Sequence, residues 1–300
     1  MRHASNDLTR RRLLALLGSV AALPCCAGNR SNSVTIGSKN FTEQLILGEM
    51  YAQLLGQHDL SVTRKLNLGG TEIAMVALQR GDIDLYPEYT GTALVNILHA
   101  KPGGRPQEIF PRVKRFYEEH FHLTWLQPAP MNNTQALATT QRVAQAYHLR
   151  TLSDLSTAAA QLRLGAIPEF THRDDGLPGL QRAYGGFRFK DVKLFDIGLK
   201  YTALVSGAVD VVVAFGTDGQ IAADNLVVFV DDKHFWPTYQ VAPVVRDDTL
   251  QRSPVIATTL NRLSPLLTDD VMRRLNNLVD GQKREPEDVA HDFLSRSRLV

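Results

Sequence analysis

The carboxylates best placed to serve as a general acid or base are Glu88, in "LYPEYTGT", and Asp174, in "FTHRDDG". Neither has the company that such chemistry needs. The sequence holds no GxSxG elbow and no P-loop, and its nine histidines include no HExxH or other metal spacing. "LNLGG" lacks the third glycine of a dinucleotide fingerprint. With no nucleophile, metal set or cofactor motif beside them, these carboxylates give an enzyme reading little support. The expectation is therefore a non-catalytic chain with no cofactor and no metal.

A stronger pattern is aromatic. At a single offset of 126 positions, Ala77, Leu78, Gly81, Asp84 and Tyr89 fall opposite Ala203, Leu204, Gly207, Asp210 and Phe215. Each copy reads as a helix end, a glycine, an acidic turn, a strand and an aromatic at the strand's end, with threonine and glycine close behind. Helix, glycine, aspartate and strand recur in any α/β protein, but packing does not demand a matched aromatic at the same strand end. Ligands of open α/β sheets gather beyond the carboxyl ends of the strands. Two such units facing each other would make a cleft with Tyr89 on one wall and Phe215 on the other. Tyr86 alternates with Asp84 and belongs to the core, whereas Tyr89 lies past Pro87, where proline and Gly91 are expected to end the strand and turn the chain at the cleft.

The elements that must position these residues alternate short β-branched runs with helical patterns, the signature of an α/β fold with largely parallel sheets. "SVTIGS" reads as a strand. The helix in "NFTEQLILGEMYAQLLG" carries Asn40 and Glu43 at capping-box spacing and Leu45, Ile46, Met50, Leu54 and Leu55 on one face. Thr71 reads as the N-cap of a second helix ending near Arg80. "QALATT", "LRLGAI", "VDVVVAF", "LVVFVD" and "YQVAPVV" are strands, "YTALVSG" is a helix, and Pro254 to Leu299 is helix-rich. Three hundred residues bury one large core or two moderate ones, and two are expected.

Residues 1–26 stand apart. Arg10, Arg11 and Arg12 precede an apolar run from Leu13 to Leu23, too short to span a bilayer, which is the grammar of an export signal. Threonine, paired arginines and leucines resemble a twin-arginine leader, and a Sec-type signal is the alternative. Cys25 and Cys26, the only cysteines, sit where a lipoprotein signal places its acylated residue, so Cys26 is a candidate lipid anchor and plain cleavage the alternative. Without them no disulfide can form. The leader carries a net charge of +3, so its loss takes the formal +2 to about −1, and the basic precursor is no argument for a nucleic-acid partner. Periplasmic placement follows, with lipid anchoring as the variant.

The blocks "VTIGSKNFTEQLILGEMYAQLL", "LGGTEIAMVALQRGDIDLYPEYTGTAL", "MNNTQAL", "DGLPGLQRAYG", "GLKYTALVSGAVDV" and "DDKHFWPTYQVAPVVR" follow one another in the order found in the substrate-binding proteins of glycine betaine/choline/carnitine ABC importers, which this chain resembles over nearly all of its length beyond the leader. The resemblance implies a bilobal periplasmic-binding-protein fold, type II-like, with two α/β lobes joined by two crossover segments. Lobe 1 would comprise 33–131 plus 240–300, and lobe 2 would comprise 132–239. Crossings are expected near Asn132 to Gln135 and near Trp236 to Val241, with Phe235 and Trp236 packing the second.

It also implies a function: a monomer that closes around a quaternary ammonium compound (glycine betaine, choline, carnitine or similar) and hands it to an ABC permease and ATPase complex. The expected ligand-binding residues are Lys39, Tyr89, Thr92, Gln135, Arg173, Phe215 and Tyr239. Aromatic faces attract a methylated ammonium by about 0.5–2 kcal/mol each, and the planar fork of Arg173 suits a carboxylate. An ion pair of Arg173 with Asp174 or Asp175 is the competing role. Three features depart from the family's habit. Gln135 stands where an aromatic is common, Phe215 stands for tyrosine, and Lys39 brings a positive charge. These leave room for a larger or more acidic ligand, such as carnitine or ergothioneine.

Overall fold

The computed structural model describes residues 32–300, so the leader call and Cys25 and Cys26 lie outside the described residues. The described strands are β1 (Ser33–Gly37), β2 (Ser61–Lys65), β3 (Leu85–Tyr89), β4 (Leu123–Trp125), β5 (Gln135–Thr139), β6 (Arg163–Ala166), β7 (Asp191–Leu194), β8 (Val211–Phe215), β9 (Val227–Val228) and β10 (Val241–Arg246). They form two five-stranded sheets of the same plan, ordered β2-β1-β3-β10-β4 and β7-β6-β8-β5-β9. The chain passes from the first sheet to the second between β4 and β5 and returns between β9 and β10. The two connections run together: Asn133 N donates to Tyr239 O (3.1 Å) and Tyr239 N to Asn132 Oδ1 (2.7 Å).

The expectation of largely parallel sheets holds for four strands of each sheet and fails for the fifth. In each sheet four strands run one way and one runs against them, since β10 is antiparallel to β3 and β4, and β5 to β8 and β9. The cause is the connectivity. β3 and β8 end at the cleft, whereas β10 and β5 enter from the connecting segments and so begin there, with Val241 opposite Tyr89 and Gln135 opposite Phe215.

Helices α1 (Thr42–Leu55), α2 (Thr71–Arg80), α3 (Thr90–Thr92) and α4 (Pro106–Phe121) join the strands of the first sheet, and α5 (Gln141–Ala146), α6 (Leu152–Ala158), α7 (Leu177–Tyr184), α8 (Lys200–Val205) and α9 (Gln220–Ala223) those of the second. The tail returns as α10 (Asp247–Arg252), α11 (Val255–Leu263), α12 (Asp269–Asp280) and α13 (Pro286–Arg296). Alternation along the strands feeds a core on each face. Leu85, Tyr89 and Val241 join Leu47, Met50 and the tail residues Leu260, Met272 and Leu294, while Tyr86 and Val244 join Ala74, Leu78 and Val113. Each fully buried aliphatic contributes about 1.5–3 kcal/mol. In the second sheet Val211 and Val213 face one core and Val212 and Ala214 the other, which is why "VVVAF" shows no polar alternation.

The internal match extends to hydrogen bonds. Gly81 caps α2 and Gly207 follows the Ser206 cap of α8, both with φ +75°, a left-handed conformation that favours glycine. The backbone N of Asp84 donates to Thr35 O and its carboxylate accepts from Thr35 N; Asp210 does the same with Arg163.

Three local expectations fail. The strand does not stop at Pro87. It runs to Tyr89, because Pro87 faces Pro243 between hydrogen-bonded pairs, and β1 pairs with β3 only at Leu85, so the missing N–H breaks no ladder bond. The helix at Thr42 has Phe41 as its N-cap with no side-chain cap, so Asn40 and Glu43 form no capping box. Thr71 is the first residue of α2, with Gly70 at the N-cap. Glu43 and Thr71 have other partners, described next.

Candidate ligand-binding site

A cavity of about 290 Å³ lies between the two lobes, and all seven residues expected at the ligand line it: Lys39, Tyr89, Thr92, Gln135, Arg173, Phe215 and Tyr239. Their positions follow from the topology. Tyr89 and Phe215 are the last residues of the two central strands, Gln135 opens β5 opposite Phe215, and Tyr239 lies two residues before β10. Thr92 ends α3, buried beside them.

Lys39 is neither a solvated loop charge nor a bridge between lobes. Its Nζ donates to Glu88 Oε1 (2.6 Å) and to Thr71 Oγ1 (3.2 Å), all within the first lobe. Glu88 is fully buried and saturated, since it also accepts from Tyr89 N (2.7 Å) and Tyr86 OH (2.9 Å). Burial pulls the Lys39 pKa below that of an ordinary lysine, while Glu88 works against the shift. The same ammonium lies 4.8 Å from the Tyr89 ring centroid and 6.0 Å from that of Phe41, which stacks on Tyr89 at 6.2 Å.

Arg173 is held by Asp175, with Nε to Oδ1 at 2.7 Å and Nη2 to Oδ2. Asp174 turns outward to Arg182 instead. The ion-pair role and the cavity-lining role of Arg173 therefore coexist, because Nη1 is uncommitted among the described residues. Tyr239 OH donates to Asp175 Oδ2 (2.6 Å), and Gln135 Nε2 and Trp236 Nε1 reach Asp175 O at 3.3 and 2.8 Å. Trp236 packs against cores of both lobes, in keeping with its place beside the second connection. A Cβ on Gly91 would lie 2.7 Å from Tyr239 Cδ1, so this glycine is what lets α3 approach the ring.

On the far wall, Lys200 Nζ sits 5.1 Å from the Phe215 centroid and within reach of Asp218 Oδ2 (3.3 Å), which also accepts from Phe215 N (3.0 Å). Both aromatic walls are thus backed by an internal lysine and carboxylate.

Glu43 is the residue most misjudged from sequence. Its Oε1 accepts from Tyr89 OH (2.7 Å) and Asn133 Nδ2 (2.9 Å), and its Oε2 from Thr217 Oγ1 (2.5 Å) and Asn276 Nδ2 (3.1 Å). One buried carboxylate thereby ties the first lobe, a connecting segment, the second lobe and the tail. Burial raises its pKa, opposed by the donors around it. The sequence also gave no signal for Phe195, Asp196 and Glu169, which line the cavity from the second lobe. The position matching Phe195 in the other copy is Gly69, so the repeat could not reveal it. Phe41, by contrast, sits inside the "VTIGSKNFTEQLILGEMYAQLL" block.

The arrangement can enclose a small molecule between ring faces and offer it charged hydrogen-bond donors at one corner. The two carboxylates singled out in the sequence are engaged elsewhere: Glu88 accepts from Lys39, Tyr86 and Tyr89, and Asp174 pairs with Arg182.

Comparisons with known proteins bear on what such a cavity holds. Residues 32–296 match the model of the substrate-binding domain of ABC-type glycine betaine transport systems. The crystal structure of a glycine betaine/carnitine/choline ABC transporter superimposes with a TM-score of 0.73 at 34% identity, over 89% of this chain and 99% of that one. A glycine-betaine-binding protein of Pseudomonas aeruginosa is 35% identical over 305 residues, covering 98% of this chain and 96% of the relative. An ergothioneine transport permease/ergothioneine-binding protein of Helicobacter pylori is 37% identical over 267 residues. That match covers 89% of this chain and 48% of the relative, so the chain spans about half of that protein's length.

Proposed function

The chain belongs to the family of substrate-binding domains of ABC-type glycine betaine transport systems, and on that premise we propose that it is the extracytoplasmic receptor of an ABC importer for a zwitterionic quaternary ammonium compound. The observation that carries this reading is the pairing, in one cavity, of ring faces from both lobes with two tethered cations, Lys39 and Arg173. The trimethylammonium group would lie among Tyr89, Phe215 and Tyr239, each face worth about 0.5–2 kcal/mol. The carboxylate would take the spare donors of Lys39 and Arg173, beside Thr71. Thr92 and Gln135 would shape the remaining wall.

This orientation ranks the ligands. Glycine betaine and carnitine supply both charges, whereas choline has no carboxylate to take the spare donors of Lys39 and Arg173, so it should bind weakest. A second reading is ergothioneine, a betaine with a ring. It is favoured by Gln135 standing where a further aromatic is common and by the extra aromatic Phe195. Closure would use contacts made to both lobes at once, and release would be to a permease with its ATPase. The leader at 1–26 supports export to the periplasm, with Cys26 as a lipid anchor in the variant reading, and the receptor would act as a monomer.

Thermal melting of the protein from Ser31 onward against glycine betaine, carnitine, choline, ergothioneine and an uncharged sugar tests this. A betaine should raise the melting temperature by mass action. Stabilisation by the sugar and by no quaternary amine would sink the proposal.

A further inference from the structure

Four carboxylates are buried among the described residues: Glu43, Glu49, Glu88 and Asp175. Glu49 pairs with Arg64, Glu88 with Lys39 and Asp175 with Arg173. Glu43 alone has no cationic partner among those residues. Its donors are the neutral groups of Tyr89, Asn133, Thr217 and Asn276. A carboxylate buried without a counter-charge is costly, so the charge itself calls for a role.

The donor set holds Glu43 as an anion. Asn133 Oδ1 accepts from Thr217 N (3.3 Å), and Asn276 Nδ2 also donates to Thr217 O (2.8 Å), which turns the Nδ2 of both amides toward Glu43. Each carboxylate oxygen therefore faces one amide and one hydroxyl. The Tyr89 ring lines the interlobe cavity, and Glu43 stays behind it, outside the lining. A phenol bonded to a carboxylate makes a charge-assisted bond and is polarised by it, which passes negative charge to the ring. That ring already draws one ammonium, with Lys39 Nζ 4.8 Å from its centroid. Lys39 is offset by Glu88 and Arg173 by Asp175, so Glu43 is the uncompensated buried charge beside the cavity. Glu169 and Asp196 also line it, but the first is half-buried and the second exposed, where water screens them.

Resting on the receptor reading, we propose that Glu43 is a specificity-determining residue of that site: acting through the Tyr89 hydroxyl, it supplies the counter-charge for the quaternary nitrogen and sets the preference for an ammonium over an uncharged group of the same shape. Glu43 touches no ligand and is a positioning residue. Asp175 shares the role only in part, because it accepts from Tyr239 OH (2.6 Å) but already answers Arg173. A quaternary nitrogen has no N–H to offer a carboxylate, and a ring face between the two lets the charge act without a hydrogen bond.

The test is calorimetric titration with two matched pairs: glycine betaine against the anion of tert-butylacetic acid, and carnitine against its analogue with a quaternary carbon in place of the nitrogen. The carboxylate end and the shape are common to each pair, so the ratio of affinities isolates the charge on nitrogen. That ratio should fall by about three- to tenfold in Glu43→Gln and in Tyr89→Phe. Tyr89→Phe keeps the ring and the buried carboxylate and cuts only the link, so the ratio stays readable if Glu43→Gln does not fold. Joining the two substitutions should lower the ratio no further than either alone. A ratio that a folded variant leaves unchanged, as a purely structural Glu43 would, overturns the inference, and so do effects that multiply in the double variant. A wild type that binds no quaternary ammonium overturns the receptor proposal and this inference with it, whereas binding with a ratio that neither variant moves overturns this inference alone.

Discussion

Replacing Lys39 by methionine keeps the volume and removes the charge. Glu88 is then fully buried with only Tyr86 OH and Tyr89 N as donors. Removing one partner of a buried pair costs about 3–5 kcal/mol, and the two remaining donors place this case at the low end, about 3 kcal/mol. For a protein of this size that is about 6–12 °C in melting temperature. The cost is that of a carboxylate buried without its counter-charge, so the neutral form is the cheaper one to bury and the loss should shrink toward acid. The assay is urea unfolding of wild type, Lys39→Met and Lys39→Met/Glu88→Gln across the acid to neutral range. The double variant should recover most of the stability and lose the added pH dependence. A single variant as stable as wild type, or a double variant no better than the single, would refute a buried Lys39–Glu88 pair and with it the cationic corner of the cavity.

Other consequences can be checked separately. Gly91→Ala puts a methyl within 2.7 Å of the Tyr239 ring. It should cost about 1–3 kcal/mol in stability by overpacking and weaken betaine binding about tenfold, as read by calorimetry and melting. Phe215→Ala removes one wall and should lower affinity for a trimethylammonium ligand at least about tenfold, with little change in fold because that ring is only half-buried. The folded pKa of Glu43 is raised by burial, so its contribution favours the fold below the ordinary glutamate pKa and fades as pH rises through the folded value. Glu43→Gln should remove that slope from a stability profile measured by denaturant titration.

How far the sequence discloses such a site depends on whether the cause is local. Gly81 and Gly207 end helices in the same left-handed state, and Asp84 and Asp210 make the same backbone contacts, so the match at constant offset was readable and pointed to Tyr89 and Phe215 together. Lys39, Arg173 and Tyr239 came from longer motifs and fall around the same cavity. What escaped was non-local. Glu43 has capping-box spacing, but its four donors come from Tyr89, Asn133, Thr217 and Asn276, and no short window contains them. Pro87 looked like a strand terminator because the phase of a ladder is invisible in one strand. The antiparallel strands were hidden for a related reason: their direction is set by segments that arrive from the other lobe.

The most direct test of the central claim is a calorimetric titration with the betaine that stabilises the protein most, beside its dimethylamino analogue at neutral pH. The analogue keeps the carboxylate and the positive charge but carries an N–H, which must shed water to enter a ring-lined cavity. Binding of the trimethyl compound at least about tenfold tighter than the dimethyl one is the predicted result. Equal affinities, or tighter binding of the dimethyl analogue, would contradict recognition of a quaternary ammonium between Tyr89 and Phe215.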